Sequence, residues 1–172
     1  MNLKRKEILT LLLISFVFGV LDFHYQNTIS PLFSRIFGNS NNPFLLVPLF
    51  IYMLLPWYIL STYVLYLLKK KSLYTLKTLL LATILAYLIS VISYYLHYIF
   101  LLFFVGLPNF ENIKFVFTKE NIAYAFNTLF LPGIIEWGIG AIILGSMVSV
   151  FNYFIIPKLE KLLEGIAIKK KY

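Results

Sequence analysis

Four long apolar runs divide this chain, and charged residues gather at their ends. The runs cover about residues 8–25, 43–68, 73–105 and 132–157. Each meets or approaches the ~20 mainly apolar residues that a helix needs to cross a bilayer. The pattern predicts an all-α, polytopic integral membrane protein. One transmembrane domain, residues 1–172, is expected to fold as a bundle of four transmembrane helices.

The third run, and the stretch from Asn121 to Pro157, exceed one crossing, so they must tilt, project or begin at the interface. An interfacial helix is expected at Asn121–Phe130, with the last span starting near Pro132. Proline suits a first helical turn, where its missing N–H has no intrahelical partner. The first run follows Lys4, Arg5 and Lys6, as in a signal peptide. It ends in LDFHYQN, without the small residues that cleavage requires, so it is expected to be retained.

Small and polar residues form rows within the runs. The first carries Ser15, Gly19, Asp22 and Gln26; the third carries Ala82, Ala86, Ser90, Ser93 and His97. The fourth carries Gly133, Trp137, Ala141, Gly145 and Ser149. Lipid gives helices no hydrophobic reason to associate, so such rows are expected to face other protein.

Composition agrees with the pattern. Sixty per cent of residues are hydrophobic and 13% charged, against about 45–50% and about 25% in soluble domains. The net charge is +8, and its placement reads as topology. Twelve basic residues fall on one side: Lys4–Lys6, Lys69–Lys71, Lys77, Lys158, Lys161 and Lys169–Lys171. Arg35, Lys114 and Lys119 fall on the other. Basic residues favour the cytoplasm, so both termini are expected there, in a cell membrane. No basic patch interleaved with aromatics points to nucleic acid.

Candidate chemistry is sparse. The two histidines, His24 and His97, and the only acids within the runs, Asp22 and Glu136, are all placed in the external half. Intramembrane ionisable residues usually face the bundle interior and pair. Glu136 and His97 are therefore expected to share one internal cavity, with Asp22 nearer its mouth; His24, also a candidate for ligand or proton binding, points to another face, towards the interface. Trp137 and Trp57 suit pocket walls or interfacial anchors. The chain has no cysteine, which excludes thiolate metal sites, disulfides and cysteine nucleophiles. No His-Glu-x-x-His, Glu-x-x-His or Gly-x-Ser-x-Gly motif occurs, and Asp22 is the only aspartate. No cofactor is expected; a haem or metal would have to use His24 and His97.

Two outlines bear comparison. The order of a long apolar helix, a polar loop and LPGIIEWGIGAIILGSMVSV before a basic end, over roughly residues 73–161, resembles the last two helices of substrate-binding components of energy-coupling-factor vitamin transporters. Those proteins usually have six helices and a glycine-rich middle, which this chain lacks. Four helices with internal termini, LDF closing the first and Pro56 in the second, are similar in outline to the sterol-isomerase and sigma-2-receptor family. That family's acidic residue in the second helix is absent here. Neither outline assigns a site residue.

The sequence thus leads to a non-enzymatic binding or transport component for a small ligand or proton. The alternatives are an accessory subunit of a larger membrane complex, respiratory or pumping, and a lipid-modifying enzyme. Other membrane subunits or further copies of the chain are expected as partners. The threading is testable with single cysteines at Lys70 and Asn41 and an impermeant thiol reagent on intact cells. Position 41 should label and position 70 should not; the reverse would overturn the topology.

Overall fold

The computed structural model describes residues 5–37, 46–70, 74–106 and 114–169. All regular elements among them are helical: α1 Arg5–Phe37, α2 Leu46–Lys70, α3 Leu76–Phe100, α4 Lys119–Tyr124 and α5 Leu131–Lys169. π-helical turns extend α3 over Leu101–Val105 and join α4 to α5 over Ala125–Phe130. Three stretches are long and apolar enough to cross a membrane: Arg5–Ile29, Leu76–Val105 and Lys119–Leu159. Asn41, which the threading places on the external side, lies outside the described residues.

Local chemistry explains the ends. Thr75 caps α3 through a capping box: its hydroxyl accepts from the Thr78 N–H, and the Thr78 hydroxyl accepts from the Thr75 N–H. Thr118 caps α4 by accepting from the Asn121 N–H at 3.2 Å. Gly106, at φ 93°, closes the π turn after α3 with its N–H on the Leu101 carbonyl. That conformation favours glycine.

Two boundaries differ from the sequence expectation. The first helix does not end near Tyr25 but continues through Pro31 to Phe37. Helix α5 begins at Leu131, beside Pro132, but it does not begin there as a separate helix. The chain is helical from Lys119 onward, and the π turn ends just before that proline, with the Leu131 N–H on the Phe126 carbonyl. Proline withholds an N–H and crowds the carbonyl four residues back. The wider π turn meets both demands without breaking the helix.

Helix α3 is central, with α1 and α5 as its main neighbours and α2 also against it. It runs parallel to α1: the Ser93 hydroxyl donates to the Phe16 carbonyl at 2.7 Å, and His97 meets His24 further along. It runs antiparallel to α5: Gly133 lies against Tyr95, Gly145 against Tyr87, and the Tyr74 hydroxyl donates to the Tyr153 carbonyl. The contacts fall on the small-residue rows. Ser15, Gly19, Ala82, Ala86, Ser90, Ser93, Ala141, Gly145 and Ser149 are all buried.

The main core joins Leu11 of α1, Leu60, Val64 and Leu68 of α2, Leu79, Ala86 and Tyr87 of α3, and Ala141 of α5. Tyr87 is the largest side chain fully enclosed. A smaller cluster of Phe23, Leu102, Phe103 and Ala125 sits beside the π turns.

Glycines in the rows are not equivalent. A methyl group at Gly19 would overlap the Ser90 carbonyl and the Ser93 hydroxyl, whereas one at Gly140 would meet nothing within 4 Å. Gly19→Ala should therefore cost about 1–3 kcal/mol, the usual range for overpacking, and Gly140→Ala close to nothing. Thermal unfolding in detergent distinguishes them; equal midpoints would contradict the α1–α3 packing.

Candidate ligand-binding site

The site begins with one buried carboxylate. Asp22 lies on the inward row of α1 and is 7% exposed. Its Oδ2 accepts from the Trp57 indole N–H of α2 at 3.2 Å, and its Oδ1 accepts from the Gln26 amide, one turn on, at 3.2 Å. No lysine or arginine pairs with it among the described residues. A carboxylate that loses water needs hydrogen bonds or a counter-charge. Two neutral donors supply the first and leave the second wanting.

Trp57 is the hinge of the site. Its ring lies 4.8 Å from Tyr87 and 6.3 Å from Trp137, between centroids. Its carbonyl accepts from the Tyr87 hydroxyl at 2.6 Å. The polar contacts run on towards the basic end of the bundle, where the Asn152 amide of α5 donates to the Ser61 hydroxyl of α2 at 3.2 Å. Three buried oxygens, Thr83 Oγ1, Ser149 Oγ and Asn152 Oδ1, have no protein partner among the described residues.

Beside Asp22 is a cavity of about 320 Å³. Gln26 and Asn27 of α1, Leu54 and Trp57 of α2, Val91, Tyr94 and Tyr95 of α3, and Trp137 and Leu144 of α5 complete its wall. Four aromatic rings face one carboxylate. The volume lies at the lower end of the ~300–1,000 Å³ usual for small-molecule pockets.

The structure redistributes the residues that the sequence grouped together. Asp22 and Trp137 both line the cavity. His97 does not; its Nε2 meets the His24 Nε2 at 3.0 Å across α1 and α3. His24 is exposed and His97 half-buried. Glu136 is exposed and absent from the cavity wall. The expected Glu136–His97 cavity is thus replaced by one centred on Asp22.

Helical geometry explains this. At about 100° per residue, Glu136 lies about 140° around α5 from Ala141, which is fully buried. Trp137 instead lies four residues before Ala141, on the inward row. His24 stands two residues past Asp22, about 200° around α1, and so cannot share its face.

Tyr94, Tyr95 and Asn27 complete a site whose acid and two tryptophans were legible but whose remaining walls were not. Position offered one signal: Tyr94 lies three residues before His97 and one after Ser93, beside the row already marked. Comparison with known proteins finds no matching family model, curated protein or solved structure.

The Tyr87 hydroxyl is buried and ties α3 to α2. Tyr87→Phe keeps the ring and removes this bond, so it should lower stability by about 0.5–1.5 kcal/mol. Tyr58→Phe, on the exposed side of α2, should change it little. Equal melting of both variants would deny the contact.

Proposed function

We propose that this chain is a non-enzymatic membrane component that binds, or helps transport, a small ligand held by Asp22 within the bundle. The threading that suits it best has four spans in a cell membrane, with both termini cytoplasmic. Helix α2, at 25 residues, is about 37 Å long and supplies the fourth. The Lys69–Lys70 end of α2, Lys77 of α3 and Lys158 of α5 then share one surface.

Depth follows from the helical rise of about 1.5 Å per residue. Along their own axes Asp22 is about 24 Å from Lys6, His97 about 30 Å from Lys77, and Glu136 about 33 Å from Lys158. With a hydrocarbon core about 30 Å thick, His97 and Glu136 reach the far interface. Asp22 lies a few ångströms inside it, at the floor of a cavity that a ligand enters from the external side or from the outer leaflet.

The observation that carries this reading is a buried carboxylate with no basic partner among the described residues, facing Trp57, Trp137, Tyr94 and Tyr95. Aromatic faces attract cations, and an ionised acid completes the attraction. The chemistry fits a small, largely apolar molecule with one protonated nitrogen. Its charge meets Asp22, and its apolar body lies against the rings, Leu54 and Leu144.

The test uses protein in lipid nanodiscs, titrated with a set of lipophilic primary to tertiary amines and their uncharged alcohol analogues. Some amines should raise the melting temperature and their alcohols should not. Hydrogen bonds to charged groups are worth about 1.5–3 kcal/mol, so Asp22→Asn should weaken amine binding about 10- to 100-fold. Glu136→Gln should leave it unchanged. Equal binding by parent and Asp22→Asn, or no preference for amine over alcohol, would overturn the reading.

One observation favours a second reading, the accessory subunit. Glu136 is exposed on α5 on the same side as Ile139 and Ile143, which are exposed too. A carboxylate on an outward apolar face suits a neighbouring subunit that supplies a donor. Release of a copurifying subunit by Glu136→Gln, with the amine site intact, would identify that role.

A further inference from the structure

The His24–His97 pair lies outside the cavity and plays no part in the ligand reading. It joins α1 to α3 through Nε2 atoms 3.0 Å apart. The ring centroids are 5.0 Å apart, and the planes are inclined at 60°. Phe23 packs edge-on to both imidazoles, at 5.5 Å from His24 and 5.3 Å from His97. Phe100 stacks on His97 at 6.4 Å, with planes 17° apart. The rings are held from the protein side, and the exposure of His24 leaves the pair open from outside.

Two convergent imidazole nitrogens can share a proton or a metal ion. The separation specifies which metal geometry is available. With metal–nitrogen bonds of about 2.0–2.1 Å, nitrogens 3.0 Å apart subtend roughly 95° at a shared ion. That is a cis pair. Trans ligation of a haem iron needs nitrogens about 4 Å apart, with a porphyrin between rings that here stand in contact. A cis bis-imidazole set with further positions left for water matches the tetragonal preference of copper(II) or nickel(II). Zinc, nearer tetrahedral, would need the nitrogens to part by a few tenths of an ångström.

We propose that His24 and His97 form a binding site for a single divalent transition-metal ion, copper(II) the most tightly, which clamps α1 to α3 at the external end of the bundle. Both imidazoles bind as neutral ligands through Nε2, and water fills the remaining positions. Among the described residues no group of three or more histidine, aspartate or glutamate side chains could hold a metal, so the protein supplies two ligands and the site is exchangeable. Copper(II) leads because it heads the order of affinity of divalent first-row metals for nitrogen ligands. The clamp lies beside the cavity wall: Phe23, which touches both imidazoles, also packs on Tyr94 at 5.2 Å. Metal binding therefore stiffens the α1–α3 seam on which Asp22 and Tyr94 sit.

The chain has two histidines and no cysteine, so the measurement has a clean background once a histidine-free affinity tag is used. Purified protein in nanodiscs is titrated with copper(II) and followed by electron paramagnetic resonance and by thermal unfolding. The expected result is one copper per chain, a signal split by two imidazole nitrogens, and a melting temperature that rises with copper. His24→Gln should lose the two-nitrogen splitting and the copper-dependent stabilisation. That variant also loses the contact with His97, so its own metal-free melting temperature is the baseline; His97→Gln gives the reciprocal check. Absence of stoichiometric binding at micromolar copper would overturn the proposal. So would a parent signal lacking two imidazole nitrogens, or copper binding by His24→Gln equal to that of the parent.

Discussion

A bilayer core offers almost no hydrogen-bond partners, so a polar side chain carried into it gains by finding one on the protein. The arrangement of this bundle follows largely from that constraint. Ser93 reaches the Phe16 carbonyl, Tyr87 the Trp57 carbonyl, Trp57 the Asp22 carboxylate, Asn152 the Ser61 hydroxyl and Tyr74 the Tyr153 carbonyl. Each bond crosses between helices or their flanking residues, and together they join α1, α2, α3 and α5. Apolar burial alone would leave rotation about each helix axis loosely defined, because lipid accepts leucine as readily as protein does. The polar contacts fix that rotation.

The same bonds create the cavity. Trp57 is held at both ends, by Asp22 at its indole N–H and by Tyr87 at its carbonyl. Its ring is thereby set between α1, α3 and α5, and space remains where Tyr94, Tyr95 and Trp137 do not close upon it. Close approach elsewhere contributes: Gly19 lets α1 lie against the Ser90 backbone, and Gly133 makes room for the Tyr95 ring. A carboxyl group placed in this setting serves structure by accepting from Trp57, and no lysine or arginine among the described residues pairs with it.

The helical class, three stretches long and apolar enough to cross a membrane, and the inward rows were legible because they depend on composition and a period of 3.6 residues. Asp22 was legible as inward for the same reason. Glu136 faces outward although its charge suggests a site. Five residues before Ala141, it belonged to the outward side of α5 by the same periodicity that marked the row. The His24–His97 contact and the Trp57–Asp22 bond pair residues 73 and 35 positions apart; no local pattern specifies which helices adjoin. The π turn before Pro132 was also hidden, since proline in a sequence reads equally as a start or as an interruption.

The central claim is that the Trp57 indole holds the Asp22 carboxylate and so orients α1 against α2 around the cavity. A double-mutant cycle on thermal stability tests it most directly, with Trp57→Phe, Asp22→Asn and the pair measured in one lipid. Residues in direct hydrogen-bond contact typically couple by about 0.5–3 kcal/mol, and a coupling in that range is the result this account predicts. Additive effects of the two substitutions, with coupling near zero, would contradict it.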